Sequence, residues 1–172
     1  MTDANGRHAD HPIDPQFLNR WSPRAFTGED MPEADILTML EAARFAPSSS
    51  NGQPWRFVYA LRGTEAFDKI LGSLVPFNQG WAKSASALML VISKTKRLSD
   101  DGTLKPVASH SFDAGSAWMS FALQASKMGY FTHGMGGVVH ETAQAAFSIS
   151  EIDWLLRSFN CRTRSRTSFN AF

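Results

Sequence analysis

One cysteine, Cys161, occurs in 172 residues, so an internal disulfide is excluded. The fold must hold by packing, and a reducing cytoplasm is the expected compartment. No apolar run approaches the roughly 20 residues of a membrane-spanning helix. Residues 1–15 are polar and carry His8 and His11, without the apolar stretch of a secretory signal. An excess of one charge is also missing. The formal net charge is +1, without the clustered Lys and Arg of a nucleic-acid surface. Repeats and low-complexity tracts are absent. No Cys or acidic set completes a metal site around His8 and His11, and His110, His133 and His140 are scattered, so no metal is expected. The cluster Ser48-Ser49-Ser50 lacks a Gly-x-Ser-x-Gly elbow, which argues against a nucleophilic serine.

What is present is ordinary globular composition, 43% hydrophobic and 19% charged, in a length that suits one domain with a real core. Residues 1–14 read as a flexible leader, 15–148 as the domain and 149–172 as an atypical tail. Ile36, Met39, Leu40, Ala43 and Phe45 recur at helical spacing, after Pro32, Glu33 and Asp35 in the first turn. Pro47 ends that helix near Ala46. Residues 55–60 alternate as a strand, and residues 64–74 form a helix with Thr64 as N-cap. Residues 85–93 are continuously apolar, as in a strand buried on both faces. Residues 94–106 read as a charged loop. Residues 111–128 form the longest helix, with a broad face of small residues, closed by Gly129. A short strand over 130–133 leads into Gly134-Met135-Gly136-Gly137, and residues 141–147 form a last helix. The mixed order implies an α+β fold.

Two polar islands stand out. In Arg20-Trp21-Ser22-Pro23-Arg24-Ala25-Phe26, an extended backbone puts Arg20, Ser22 and Arg24 on one face, where they suit one phosphate. The alternative is a solvated surface strand. In Pro47-Ser48-Ser49-Ser50-Asn51-Gly52-Gln53-Pro54-Trp55, the Asn and Gln amides can both donate and accept, which matches the edge of a flat polar ring. The alternative is a plain helix-to-strand turn. Asp113, near the start of the long helix, either faces a ligand or caps the helix through charge–dipole attraction. The second reading is the simpler one.

These segments resemble the two flavin-binding signatures of the nitroreductase family. Arg20, Ser22, Arg24 and Phe26 fall on its Arg-x-Ser-x-basic-x-Phe pattern, and Trp21 stands where the family often has a basic residue or His. Pro47, Ser48, Ser49, Asn51 and Gln53 fall on its Pro-Ser-Ser-x-Asn-x-Gln-Pro-Trp stretch. The resemblance implies a three-layer fold with a mixed sheet flanked by helices, and a homodimer with FMN at the subunit interface. It implies that Arg20, Ser22 and Arg24 hold the flavin phosphate and ribityl chain. It further implies that the Pro47–Gln53 residues reach the flavin partly from the neighbouring subunit, with Asn78 near the ring. Gly134, Gly136 and Gly137 would let the backbone approach the flavin. NADH or NADPH would be the electron donor and a nitroaromatic, quinone or similar small molecule the acceptor, in a ping-pong hydride-transfer cycle. The flavin carries the chemistry, so no protein catalytic residue is required.

The resemblance covers roughly residues 20–147. Beyond it, the stretch from Ser148 to Phe172 lacks strand alternation and the family's late basic motif. The expectation is a truncated or frame-shifted terminus in which a strand of the sheet is missing, leaving unpaired edges. A flavin binder without turnover is the alternative function that such a loss implies.

Overall fold

The computed structural model describes residues 6–150 and the backbone of residues 153–162. The run that reads as doubly buried organises the chain. After helices α1 (Pro15–Asn19) and α2 (Glu33–Arg44), strand β1 (Trp55–Leu61) and helices α3 (Glu65–Gly72) and α4 (Pro76–Ala82) comes β2 (Ala87–Lys94). Its residues from Ala87 to Ser93 are all buried. Alternate residues serve opposite cores. Ala87, Met89 and Val91 pack with Ile36, Met39 and Ala43 of α2. Leu88, Leu90 and Ile92 pack with Phe67 and Ile70 of α3. Each fully buried Leu, Ile or Val contributes about 1.5–3 kcal/mol relative to exposure.

The chain continues through β3 (Lys96–Leu98), β4 (Leu104–Pro106), α5 (His110–Lys127), β5 (Phe131–Met135), α6 (His140–Phe147) and β6 (Asp153–Arg162). Helix α5 lays Ala114, Ala117, Phe121 and Ala125 into the α2 core. Its alanines permit close approach to the sheet, and Gly129, at φ +87°, turns the chain out of the helix. Ala143 of α6 joins the opposite core. Helices therefore cover both faces of a sheet ordered β1-β2-β6-β5, the expected three-layer α+β arrangement, and the described pairs are antiparallel. Thr64 caps α3 as expected, its hydroxyl accepting from Phe67 N at 3.2 Å.

The expectation of a missing strand is overturned. β6 lies between β2 and β5 and pairs with both, from Ala87↔Cys161 to Lys94↔Asp153 on one side and from Phe131↔Arg162 to Met135↔Ser158 on the other. The register shifts between Val91 and Ile92, where the extra residue is Leu156. The physical reason is tertiary. Two strand edges with unmet N–H and C=O groups flank one slot, and pairing there outweighs weak local alternation. Residues 163–172, the remainder of the tail expectation, lie outside the described residues, as do residues 1–5 of the leader.

The charged loop is also corrected. β3 and β4 form a hairpin with Leu98 opposite Leu104. Its turn is built on Asp101-Gly102, a strong hairpin signal in itself. Hydrogen bonds from Thr103, and then from Lys105, hold the exposed Asp101 carboxyl down at about 2. Strand β5 runs two residues past the expected end, so Gly134 and Met135 belong to the sheet and only Gly136 and Gly137 form the loop.

Candidate functional site

Helix α1 delivers the first polar island. Asp14 caps it by accepting from Gln16 N at 2.8 Å, and Pro15 opens its first turn. Arg20 closes it, its backbone N–H donating to Gln16 O at 2.9 Å. The Asp14-Pro15 pair was the sequence signal for this helix. Arg20 itself is extended, and its Nη1 lies 3.4 Å from Ser22 Oγ.

Arg20 and Ser22 line a cavity of about 560 Å³, with Gly134 of β5 and Ser111 of α5. The rest of its wall is largely apolar, from Val91, Ala114, Trp118, Met119 and Ala122. Burial lowers the Arg20 pKa, and the nearby charge of Arg7 adds to this. Arg7 is itself fixed there, donating to the carbonyls of Leu18 and Arg20 at 2.6 Å each. Among the described residues no carboxylate pairs with Arg20 or Arg24. A partly buried cation beside a second cation favours an anionic ligand. The lining thus combines a cation with a largely apolar wall, the composition of a small-molecule site.

Arg24 does not line this cavity. Its guanidinium sits 5.9 Å over the ring of Phe77, and the side chain is exposed. Asn78, buried on α4, donates through Nδ2 to Gly137 O at 3.3 Å, so these two residues meet each other. The second polar island also stands apart, since none of Pro47, Ser48, Ser49, Asn51 and Gln53 lines the cavity. That loop is built by internal bonds. Gln53 N donates to Ser48 Oγ at 3.1 Å, and Gln53 Nε2 donates to Asn51 Oδ1 at 3.2 Å. Its backbone is left-handed at Ser50 (φ 50°), Asn51 (φ 52°) and Gln53 (φ 43°). Such strain in non-glycine residues clusters at functional loops.

Two supports of the islands come from the fold: the bond of Asp113 to the second island, and His133 behind the first. Asp113 is buried, and its Oδ2 accepts from Ser49 N at 3.2 Å and from Ser109 Oγ at 2.8 Å. It therefore ties the second island to α5, which a simple helix cap does not require. His133 backs the first island. Its Nδ1–H donates to Pro23 O at 2.9 Å, and its ring packs 4.7 Å from Trp81, which stacks on Phe26. Nothing in a lone histidine marked this role.

Burial lowers the His133 pKa from 6.5, helped by the charge of Arg24 and opposed by hydrogen bonds with Pro23 and Ser22. The unfolded chain therefore binds the proton more readily than the folded one. This share of stability is complete above about pH 6.5 and is lost as the pH falls below it. Urea unfolding midpoints should decline between pH 7.5 and 5.5, and the decline should shrink in His133→Gln. An identical decline in both proteins would remove His133 from the account.

Comparison with known proteins identifies the family. Residues 18–76 match the model of the nitroreductase family. A crystal structure of an FMN-containing oxidoreductase is 46% identical, with a TM-score of 0.91 over 96% of this chain and 83% of that one. The major NAD(P)H-flavin oxidoreductase of Aliivibrio fischeri is 30% identical over 95 residues, 53% of this chain and 43% of that protein. An oxygen-insensitive NADPH nitroreductase of Helicobacter pylori is 37% identical over 86 residues, 49% of this chain and 40% of that protein. The match thus spans less than half the length of these curated relatives. On the sequence pattern, the fold and the extent of the structural match, the chain belongs to the nitroreductase family.

Proposed function

We propose that the protein is an FMN-dependent oxidoreductase that uses NADH or NADPH to reduce nitroaromatics, quinones or similar small acceptors. The observation that carries this reading is Arg20, a half-buried guanidinium with no carboxylate partner among the described residues, lining a cavity with a largely apolar wall. A phosphate would satisfy Arg20 and Ser22, and a flat ring system would lie along Val91 and Trp118. The residues present therefore fit FMN. Arg24, exposed beside this segment, adds charge near the phosphate rather than a cavity wall. Gly134 lines the cavity from β5, and Gly136 and the Asn78–Gly137 contact belong to the loop after it.

When bound, FMN supplies hydride acceptance from the nicotinamide and electron delivery to the acceptor, in two half-reactions. The chain's own contribution is binding, orientation and exclusion of water. The proposal includes a homodimer. Phe112 and Met119 project from α5 beside the cavity, and Phe45 projects beside the 47–53 loop, all exposed in the single chain. None of the 47–53 residues lines this chain's own cavity, which leaves the loop available to a neighbour. A cytoplasmic location fits the single cysteine, and among the described residues no helix is long and apolar enough to cross a membrane.

The alternative, a flavin binder without turnover, drew on the missing strand, and β6 fills that place. The test is direct. The purified protein should show a flavin absorbance spectrum that bleaches anaerobically with NADH or NADPH and recovers on adding a quinone. A colourless protein that takes up no added FMN would sink the proposal. A bound flavin that neither nicotinamide reduces would favour the binder.

A further inference from the structure

Asp113 is 3% exposed. A buried carboxylate is retained only where donors satisfy it. Here the donors come from two elements: the Ser109 hydroxyl at the start of α5 and the Ser49 N–H in the 47–53 loop. The loop needs such a tether. Three non-glycine residues in left-handed backbone are strained, and they persist only where surrounding contacts over-determine them. The C-terminal end of the loop is held separately, by Arg56 Nη1 donating to Gln53 O at 3.2 Å and Lys94 N donating to Pro54 O at 2.8 Å. On the same helix, Ser111, Ala114 and Gly115 line the cavity, whereas Ser49, Asn51 and Gln53 are exposed and do not. One turn of α5 therefore serves two directions: its cavity face shapes this chain's site, and Asp113 shapes a loop that this site does not use.

We infer that Asp113 is a positioning residue acting in trans, holding the Ser49 turn in the form that completes the partner subunit's flavin site. This rests on the homodimer reading above. It predicts that the Asp113→Ala homodimer loses FMN affinity by about 10-fold or more, the value of one charge-assisted hydrogen bond. Asp113→Asn should restore most of it, because the amide oxygen still accepts from Ser49 N.

The decisive experiment is a hybrid dimer, purified through two different tags. One subunit carries Asp113→Ala; the other carries Arg20→Ala with Arg24→Ala. If Asp113 acts in trans, the cavity of the Asp113→Ala subunit is intact and receives an intact loop from its partner. The hybrid should then bind one FMN per dimer by absorbance and show about half the wild-type turnover. If Asp113 serves its own cavity, both sites are damaged and the hybrid is colourless, which overturns the inference. Should Asp113→Ala fail to fold, Ser49→Pro replaces it in the hybrid. Ser49 opens a short 3-10 turn, Ser49–Asn51, where proline is tolerated, and Ser48 is already extended, so that change removes the N–H that Asp113 accepts, together with the Ser49 hydroxyl. A monomeric or flavin-free wild type overturns the functional reading and this inference together. A flavin-bound dimer with a colourless hybrid overturns this inference alone.

Discussion

Replacing Arg20 and Arg24 together by alanine should weaken FMN binding about 100-fold or more. A hydrogen bond to a charged group contributes about 1.5–3 kcal/mol, and 1.4 kcal/mol is tenfold in affinity. The two arginines should not contribute equally. Arg20 is half-buried and lines the cavity, so its contact is poorly screened. Arg24 is exposed over Phe77, so its share should shrink at high salt. Titration of each single variant with FMN, followed by quenching of flavin fluorescence at low and high salt, separates the two. Arg20→Lys should restore only part of the loss, since it keeps the charge but not the fork. Melting of the flavin-free protein supplies the control. Removing a desolvated cation that faces Arg7 should leave stability unchanged or raise it. Wild-type FMN affinity in the double variant would remove the phosphate from this end of the cavity.

Much of the layering is legible in the sequence because it follows from burial periodicity. The apolar run of β2 suits two covered faces, and the i, i+3, i+7 spacing of Ile36, Met39 and Ala43 fixes the face of α2. Caps are equally local, as Thr64 illustrates. What fails is whatever depends on distant partners. β6 is a strand because β2 and β5 flank it, and its own residues do not announce that. The β3–β4 hairpin was written in Asp101-Gly102, but its exposed strands lack apolar alternation, and charge alone reads as loop. α1 was written in Asp14-Pro15 and is too short for periodicity to register.

The site divides in the same way. Arg20, Ser22 and Gly134 meet in one cavity as the motifs suggest, whereas Arg24 and the 47–53 residues do not join them. A pattern of residue types specifies what a ligand needs, but not which side chain turns inward. Asp113 is the clearest case. Its helix position allows a cap, and only the fold brings Ser49 to its carboxylate.

Gly137→Ala should lower the melting temperature by about 4–8 °C, the effect of an overpacking cost of about 2 kcal/mol in a domain of this size. A Cβ at this position would sit 2.7 Å from Asn78 Nδ2 and 2.7 Å from Val75 Cγ2. Neither neighbour can yield cheaply. Val75 caps α4 and its N–H donates to Gly137 O at 3.1 Å, and Asn78 is buried and donates to the same carbonyl. The methyl must therefore push the loop off α4 and break bonds that converge on one oxygen. Gly136 is the internal comparison, because a Cβ there meets nothing within 4 Å. Gly136→Ala should leave melting unchanged, and any loss of FMN affinity in it reports the ligand rather than the fold. A Gly137→Ala protein that melts like wild type would mean the loop shifts freely against α4. Asn78 would then lose its structural role, and its buried amide would be left for the ligand.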